Sequence, residues 1–363
     1  MKFVPQMGYW GEWKEDKKNE DLNLKISSYT IDLERAAEFI NTNNSKLIAL
    51  QIPEGLKENI SNILDYFEKN TKSSFIIYED PCFGACDLVG SELKEIGVDL
   101  AIQIGHTIIP SINQMPIKTL FLNAESNLDV ESIVKESIKH LNGKKIGIVT
   151  TAQHRNSIER IIKILKENDF EPVIGKGDNR IDFEGQILGC NLSSAVNISE
   201  NVDIFLYVGS GIFHPLGLIL ATKKEVIVAD PYENKIKTKE LYDLKDKILR
   251  QRFGAIERSR NAELFGILIG TKIGQQRKKL AFEIKEKLDS INKKSIIIAS
   301  NHFNPTNLET FRSIDCFIST ACPRIAIDDY MRYKIPIITP VELDILLGFE
   351  KWEDYKFDEI LDT

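Results

Sequence analysis

The sequence predicts an α/β fold of three pseudo-repeated parallel-sheet domains packed around a shared central site. Three similar apolar segments each lead into a turn and a helical pattern, and they lie at 46–56, 145–154 and 265–277. Three others start with an apolar residue and Asp, and they lie at 98–107, 202–211 and 314–323. A third set closes each unit, at 118–127, 225–234 and 335–344. Corresponding segments recur at intervals of roughly 100–120 residues, which three copies of one α/β unit explain.

The composition of these segments indicates parallel strands. They are short, rich in Ile, Val and Leu, and apolar on both faces, whereas the helical patterns between them carry the charge, as at 275–294. Such strands belong to parallel sheets that are covered by crossover helices. Ligands of these sheets bind beyond the carboxyl ends of the strands. Functional residues are therefore expected in the turns that follow the strands.

The three units predict three packed domains, because no long linker rich in Pro, Gly or Ser separates them. Their expected boundaries lie near residues 125 and 243, so that the domains comprise 1–125, 126–243 and 244–363. The first ~28 residues are predicted to form an N-terminal extension with an exposed, charged start.

Length, charge and hydropathy exclude several classes of protein. The chain has 363 residues, with 47 Lys and Arg against 54 Asp and Glu, and a formal charge of −7. General nucleic-acid binding needs a basic face, so no nucleic-acid partner is expected. The uncharged stretch 204–222 contains Ser210, His214 and Pro215, which favours a strand, a turn and a helix over a membrane span. With no signal peptide at the start, a cytoplasmic protein without membrane contact is expected.

A phosphate-binding loop is not supported. The turn GSGIFHPLG at 209–217 follows a strand, but a GxGxxG pattern needs Gly where this chain has His214. No GxxxxGK sequence followed by Ser or Thr occurs, so binding of a dinucleotide or a nucleoside triphosphate has weak support. The backbone N–H groups of this turn could still receive a carboxylate or a ribose.

The five cysteines carry the strongest functional signal. An unexported chain seldom uses disulfides, and buried structural thiols are the simplest alternative. Cys316 lies within an apolar strand and is predicted to belong to the core, whereas Cys86, Cys190 and Cys322 each lie in a small-residue turn of a different unit. Three thiolates at a shared centre suit an iron–sulfur cluster with one open iron or a zinc ion with one open position, and spacing does not choose between them.

At these residues the sequence resembles the archaeal 2-(3-amino-3-carboxypropyl)histidine synthase family, which begins diphthamide biosynthesis. The matching segments run nearly the length of the chain, and they are PCFGACDL (81–88), GQILGCNLSSA (185–195), GSGIFHPLGL (209–218), GTKIGQQR (270–277) and STACPRIAIDD (319–329). The resemblance implies a 4Fe-4S cluster held by Cys86, Cys190 and Cys322. Cys82 is the one competitor for the first position, and Cys86 is preferred because the GAC segment carries the match.

The resemblance also implies the reaction. S-adenosyl-L-methionine would bind the open iron, and an electron from the cluster would release a 3-amino-3-carboxypropyl radical and methylthioadenosine. The radical would add to carbon 2 of a histidine imidazole in translation elongation factor 2. The family further implies a homodimer and an electron donor. No catalytic side chain beyond the cluster is expected.

Nine residues are candidates for holding S-adenosyl-L-methionine, because they lie in turns that follow strands of the three units. They are Pro53, Glu54, Gly55, Gly209, Ser210, Gly211, His214, Gln275 and Arg277. Arg277 could pair with the carboxylate of this molecule, and His214 could hydrogen-bond its methionine portion.

Two other functions compete with this interpretation. A quinolinate synthase-like dehydratase also takes one cluster cysteine from each of three domains, although GQILGCNLSSA and STACPRIAIDD favour the transferase. A non-catalytic supporting subunit would be expected to have lost cluster cysteines, and this chain keeps all three candidates.

Overall fold

Three sheets of mainly parallel strands, covered by helices, dominate the fold. The computed structural model describes residues 24–26, 28–88 and 90–361. The predicted N-terminal extension lies almost entirely outside these residues. The α/β class with parallel sheets is confirmed.

The first sheet is formed by β3 to β6, and β1, β2 and β7 form a small antiparallel sheet. These strands are β1 (Leu24–Ile26), β2 (Tyr29–Ile31), β3 (Leu47–Gln51), β4 (Ser74–Tyr78), β5 (Leu100–Ile104), β6 (Lys118–Leu122) and β7 (Ala124–Ser126). The helices are α1 (Leu33–Asn43), α2 (Glu54–Lys57), α3 (Ile60–Asn70) and α4 (Ser91–Glu95), with 3-10 helices at Ala85–Asp87 and Pro110–Gln114.

The second sheet contains four parallel strands and one short antiparallel strand, β12. Its strands are β8 (Lys145–Thr150), β9 (Glu171–Val173), β10 (Ile204–Val208), β11 (Val226–Asp230) and β12 (Lys235–Ile236). The α-helices are α5 (Glu131–Ser137), α6 (Ile158–Glu167), α7 (Ser193–Val196), α8 (Phe213–Thr222) and α9 (Thr238–Arg258). The 3-10 helices are Ile138–His140, Ala152–Ser157 and Ser199–Asn201.

The third sheet is wholly parallel. Its strands are β13 (Leu264–Gly270), β14 (Lys294–Ser300), β15 (Cys316–Ser319) and β16 (Ile337–Ile338). The α-helices are α10 (Lys278–Ser290), α11 (Pro305–Leu308), α12 (Pro323–Ile327) and α13 (Pro340–Leu346), and 3-10 helices lie at Ile273–Gln275, Tyr330–Arg332 and Trp352–Asp354.

All three sheets share one strand order. Counted along the chain, the second strand of each sheet lies at an edge, followed across the sheet by the first, the third and the fourth. Three related units would produce this order. The domain boundaries near 125 and 243 stay predictions; residue 243 lies inside α9, which packs against both β11 and β16.

The core lies between these sheets and their helices, and α1 shows how the sequence builds it. Asp32 begins this helix by accepting a hydrogen bond from the backbone N–H of Arg35 at 3.0 Å. Its buried residues, Leu33, Ala36, Ala37 and Ile40, recur at helical spacing and face the first sheet. One side of α1 is therefore apolar because it packs on the sheet.

The apolar stretch 204–222 forms a strand, a turn and a helix, as predicted. It comprises β10 and α8, and Gly211 takes a φ of 72° in the turn between them, a conformation that glycine adopts without strain. Within the described ranges, no helix is both long and apolar enough to cross a membrane.

Candidate metal centre

One cavity of about 820 Å³ lies where turns of the three sheets meet. Cys86, Cys190 and Cys322 all line it, one after a strand of each sheet. The structure therefore brings the three predicted thiols to one space, although they are separated by 104 and 132 residues in sequence.

Cys86 lies on the 3-10 helix Ala85–Asp87, which follows β4. The buried carboxylate of Asp87 fixes this turn by accepting hydrogen bonds from the backbone N–H groups of Phe83 (2.8 Å) and Gly84 (3.1 Å). Lys272, from the turn after β13, donates from Nζ to Asp87 Oδ1 at 2.6 Å, and this ion pair is almost completely buried. The pair therefore links the first and third sheets beside Cys86.

The 3-10 helix Ile273–Gln275 packs directly on the backbone of Cys86. A Cβ atom at position 274 would lie 2.4 Å from the Cα of Cys86, so only glycine permits this approach. Gln275 donates from Nε2 to Cys86 Sγ at 3.5 Å and to Asp87 Oδ1 at 3.3 Å. Because Nε2 contacts both partners, Gln275 orients the thiol relative to the Asp87–Lys272 pair.

Cys190 lies in the connection between β9 and α7, and the C-terminal segment holds it. The backbone N–H of Ile360 donates to the carbonyl of Cys190 at 2.7 Å. Asn191 donates from Nδ2 to both carboxylate oxygens of Asp178 and to the carbonyl of Ile360. These bonds fix the turn that presents Cys190 to the cavity.

Cys322 follows β15 and precedes α12, and Arg277 holds the residues just before it. The Arg277 guanidinium donates to the carbonyl oxygens of Thr320 (2.7 Å) and Ala321 (3.0 Å). It also forms a two-pronged pair with Asp358, at 2.8 and 2.7 Å. A single guanidinium thereby joins the third sheet to the C-terminal segment that supports Cys190.

Burial raises the pKa of all three thiols, and raises that of Cys322 to about 12. Three thiolates in this cavity would also repel one another. Three hydrogen-bond donors act in the opposite direction and lower the thiol pKa values. Gln275 acts on Cys86, the Arg180 guanidinium on Cys190, and the backbone N–H of Arg324 on Cys322. The thiols are thus neutral on their own, and the thiolate form requires bound positive charge, which metal ions supply.

The spacing of the thiols does not suit a single ion. Among the described residues, no three His, Cys, Asp or Glu side chains lie close enough together to hold one metal ion. An iron–sulfur cluster contains several irons and can span more widely spaced thiolates. Three cysteine thiols lining one cavity are a donor set that fits an iron–sulfur cluster with one open iron.

Known proteins match the chain over most of its length. The model of the diphthamide synthesis protein family matches residues 52–357, which include all three cavity cysteines. The chain belongs to this family. The 2-(3-amino-3-carboxypropyl)histidine synthase of Pyrococcus horikoshii is 35% identical over 319 residues, covering 87% of this chain and 90% of the relative. The synthase of the same name from Methanocaldococcus jannaschii is 36% identical over 363 residues, covering 94% and 96%.

A solved structure supports the same membership of the diphthamide synthesis family. The crystal structure of Dph2 from Pyrococcus horikoshii with a 4Fe-4S cluster matches with a TM-score of 0.82 at 32% identity. The match covers 92% of this chain and 94% of that chain. The two chains therefore share the α/β architecture described above.

The structure separates the predicted S-adenosyl-L-methionine residues into two groups. His214 and Gln275 line the cavity. Pro53, Glu54, Gly55, Gly209, Ser210, Gly211 and Arg277 do not, although Pro53 lies beside Gly105, which does. Glu54 pairs with Lys57 at 3.1 Å, Ser210 and Gly211 are exposed, and the Arg277 guanidinium is held by Asp358. A role for each of the nine in binding stays a prediction.

The two remaining cysteines differ from the cavity thiols. Cys316 is buried in β15, so its prediction as a core residue is confirmed. Cys82 is also buried; it accepts a hydrogen bond from Gln103 Nε2 at 3.6 Å and lies 3.9 Å from His106 Nδ1. It does not line the cavity.

Asp87, Lys272 and Arg180 are among the cavity-wall residues that were not predicted from the sequence. Asp87 and Lys272 lie inside the matching segments 81–88 and 270–277, and this position is the signal that could have found them. Arg180 lies in a connection that carries no recognisable pattern. Its position depends on tertiary contacts, which sequence spacing does not reveal.

Proposed function

We propose that this chain is a 2-(3-amino-3-carboxypropyl)histidine synthase. It transfers the 3-amino-3-carboxypropyl group of S-adenosyl-L-methionine to carbon 2 of a histidine imidazole in translation elongation factor 2, the first step of diphthamide biosynthesis. The observation that carries this proposal is the convergence of one thiol from each sheet on one cavity. The family membership and the synthases that match nearly the whole chain give it support.

Cys86, Cys190 and Cys322 would hold a 4Fe-4S cluster through three of its irons. When bound and reduced, this group supplies the electron that breaks a carbon–sulfur bond of S-adenosyl-L-methionine. The side chain of Gln275 donates to one of the three sulfurs, and such N–H donors raise the reduction potential by stabilising added negative charge.

The rest of the cavity wall binds and orients the substrate. Burial lowers the pKa of His214 to about 4, with the nearby Arg324 charge acting in the same direction, so its imidazole is neutral at physiological pH. It can therefore form a hydrogen bond to the substrate without adding charge. The buried ion pair of Lys272 with Asp87 lies in the cavity wall and joins the first and third sheets beside Cys86.

The protein partners belong to the proposal as well. A protein substrate must reach the cavity, and Phe83, which lines it, is 69% exposed. We also propose a homodimer that receives electrons from a separate donor in the cytoplasm, where elongation factor 2 is used.

The proposal is tested by product analysis of anaerobically purified, cluster-loaded protein. Dithionite and S-adenosyl-L-methionine are added, and the small molecules are separated by chromatography. Methylthioadenosine is the expected product, with modified elongation factor 2 when that protein is present. Deoxyadenosine would indicate another radical reaction, and an intact cluster without cleavage would favour a quinolinate synthase-like dehydratase or a supporting subunit.

A further inference from the structure

Arg180 is a buried cation in the wall of the thiol cavity. Arg180 is 7% exposed, and its guanidinium lies beside Cys190. The backbone N–H of Arg180 donates to Asp178 Oδ1 at 2.9 Å, and the same carboxylate accepts from Asn191, the neighbour of Cys190. The position of Arg180 relative to Cys190 is therefore fixed by the fold.

The Arg180 guanidinium is under-satisfied. Nη2 donates to the carbonyl of Gly274 at 3.2 Å, whereas the buried Nε has no hydrogen-bond partner. No carboxylate pairs with it within the part of the chain that the structure describes. Among the described residues, the two other buried Lys or Arg side chains each have one, since Lys272 pairs with Asp87 and Arg252 with Glu342; the half-buried Arg277 pairs with Asp358.

A buried charge without a counter-ion is costly, so this arrangement points to an anion that enters the cavity. The anion would lie between Cys190, which Arg180 contacts, and Gly274, which packs on Cys86. A planar guanidinium with free N–H groups suits a carboxylate, which it can bind through two parallel hydrogen bonds.

We propose that Arg180 binds the carboxylate of S-adenosyl-L-methionine and so selects the carbon–sulfur bond that breaks. This inference rests on the proposed function. The sulfonium carries three carbon substituents, and only the aminocarboxypropyl one has a carboxylate. Anchoring that carboxylate beside Cys190 turns the bond between sulfur and the aminocarboxypropyl carbon toward the thiols. One added electron then divides the cation into neutral methylthioadenosine and the aminocarboxypropyl radical.

The test compares two ligands, S-adenosyl-L-methionine and its decarboxylated analogue, on anaerobic, cluster-loaded protein. Dissociation constants are measured by calorimetry for the wild type, Arg180→Gln and Arg180→Lys. Arg155→Gln is the matched control, because this arginine pairs with Asp182 outside the cavity. Iron content and thermal unfolding show whether each variant folds and carries its cluster.

Arg180→Gln is expected to weaken binding of S-adenosyl-L-methionine by about tenfold to a hundredfold, the loss of a charge-assisted hydrogen bond. Binding of the decarboxylated analogue should change less than about twofold. Arg180→Lys keeps the charge and should lose only part of the discrimination, and it replaces Arg180→Gln if that variant loses its cluster. Arg155→Gln should match the wild type.

Four results would overturn the assignment. Equal weakening of both ligands, or a shifted midpoint potential of the cluster with unchanged binding, would make Arg180 a counter-charge for Cys190 alone. If the wild type and Arg180→Gln both cleave S-adenosyl-L-methionine and bind it with equal affinity, Arg180 does not bind the carboxylate. The proposed function would then remain supported. Wild-type protein that binds no S-adenosyl-L-methionine would reject both.

Discussion

Gly274 illustrates how closely the third sheet approaches the cysteine of the first. The 3-10 helix Ile273–Gln275 touches the backbone of Cys86, and a single methyl group at position 274 would overlap it. The atom in the way belongs to the main chain, which cannot rotate aside as a flexible side chain can. This contact therefore couples the position of Cys86 to the third sheet.

Gly274→Ala is expected to lower the free energy of unfolding by about 1–3 kcal/mol, because the added methyl group overpacks the site. It should also reduce the iron bound per chain. Gly254→Ala is the matched control, because Gly254 lies inside α9 with nothing within 4 Å of the new Cβ. This substitution should raise the free energy of unfolding by up to about 1 kcal/mol. Chemical denaturation checks both, and equal stability of the two variants would contradict the close approach.

His154 is a second residue whose surroundings set a measurable property. It is 1% exposed, neither ring nitrogen has a hydrogen-bond partner, and its ring packs edge-on against Tyr232. Burial lowers its pKa to about 4, although Asp230 acts in the opposite direction. The unfolded chain, with a histidine pKa near 6.5, therefore binds a proton that the folded chain does not.

Stability should consequently fall as the pH decreases from about 6.5 toward 4. Between pH 7 and pH 5 the contribution of His154 is about 2 kcal/mol. His154→Phe removes the titrating group and should flatten the pH dependence of the unfolding free energy by about that amount. The same pH dependence in urea titrations of the two proteins would show that folding does not lower the pKa of His154.

The helices around the third sheet are joined by a fully buried ion pair. Arg252 of α9 donates to both carboxylate oxygens of Glu342 in α13. The same guanidinium donates to the carbonyl oxygens of Ala326 and Ile337. Ala326 lies in α12, the helix that directly follows Cys322. The Arg252–Glu342 pair therefore also supports one wall of the cavity.

Breaking this pair should be costly. Arg252→Met is expected to lower the unfolding free energy by about 3–5 kcal/mol, because it leaves a buried carboxylate without its partner. The double variant, Arg252→Met with Glu342→Gln, should lose much less unfolding free energy than the sum of the losses of the two single variants. Arg260→Met, which removes a solvent-exposed pair with Glu257, should change stability by no more than about 1 kcal/mol. Additive losses in a double-mutant cycle would contradict the coupling.

The recurring segments of the sequence predicted three strands of each sheet, including the edge strands β6 and β16. β3, β5, β8, β10, β13 and β15 were recognised because apolar side chains cover both of their faces. The second strand of each sheet, β4, β9 or β14, was missed. These strands lie at one edge of their sheets and are partly exposed, and they fall outside the three sets of recurring segments from which the strands were predicted.

The site as a whole depends on contacts between distant parts of the chain. The C-terminal segment binds Cys190 through Ile360 and Arg277 through Asp358, and so connects the turns of the second and third sheets. Sequence spacing indicated which three cysteines could meet. From the sequence, Arg277 was predicted to pair with a substrate carboxylate. No sequence pattern indicates that Asp358 contacts this guanidinium, so their pairing was not predicted.

The most direct measurement is the iron and acid-labile sulfide bound per chain after anaerobic reconstitution. Wild-type protein should bind one 4Fe-4S cluster, and Cys86→Ala, Cys190→Ala and Cys322→Ala should each lose most of it. Cys82→Ala should retain the cluster, because Cys82 lies outside the cavity. Full loading of any of the first three variants, or loss only in Cys82→Ala, would contradict a cluster held by one cysteine from each sheet.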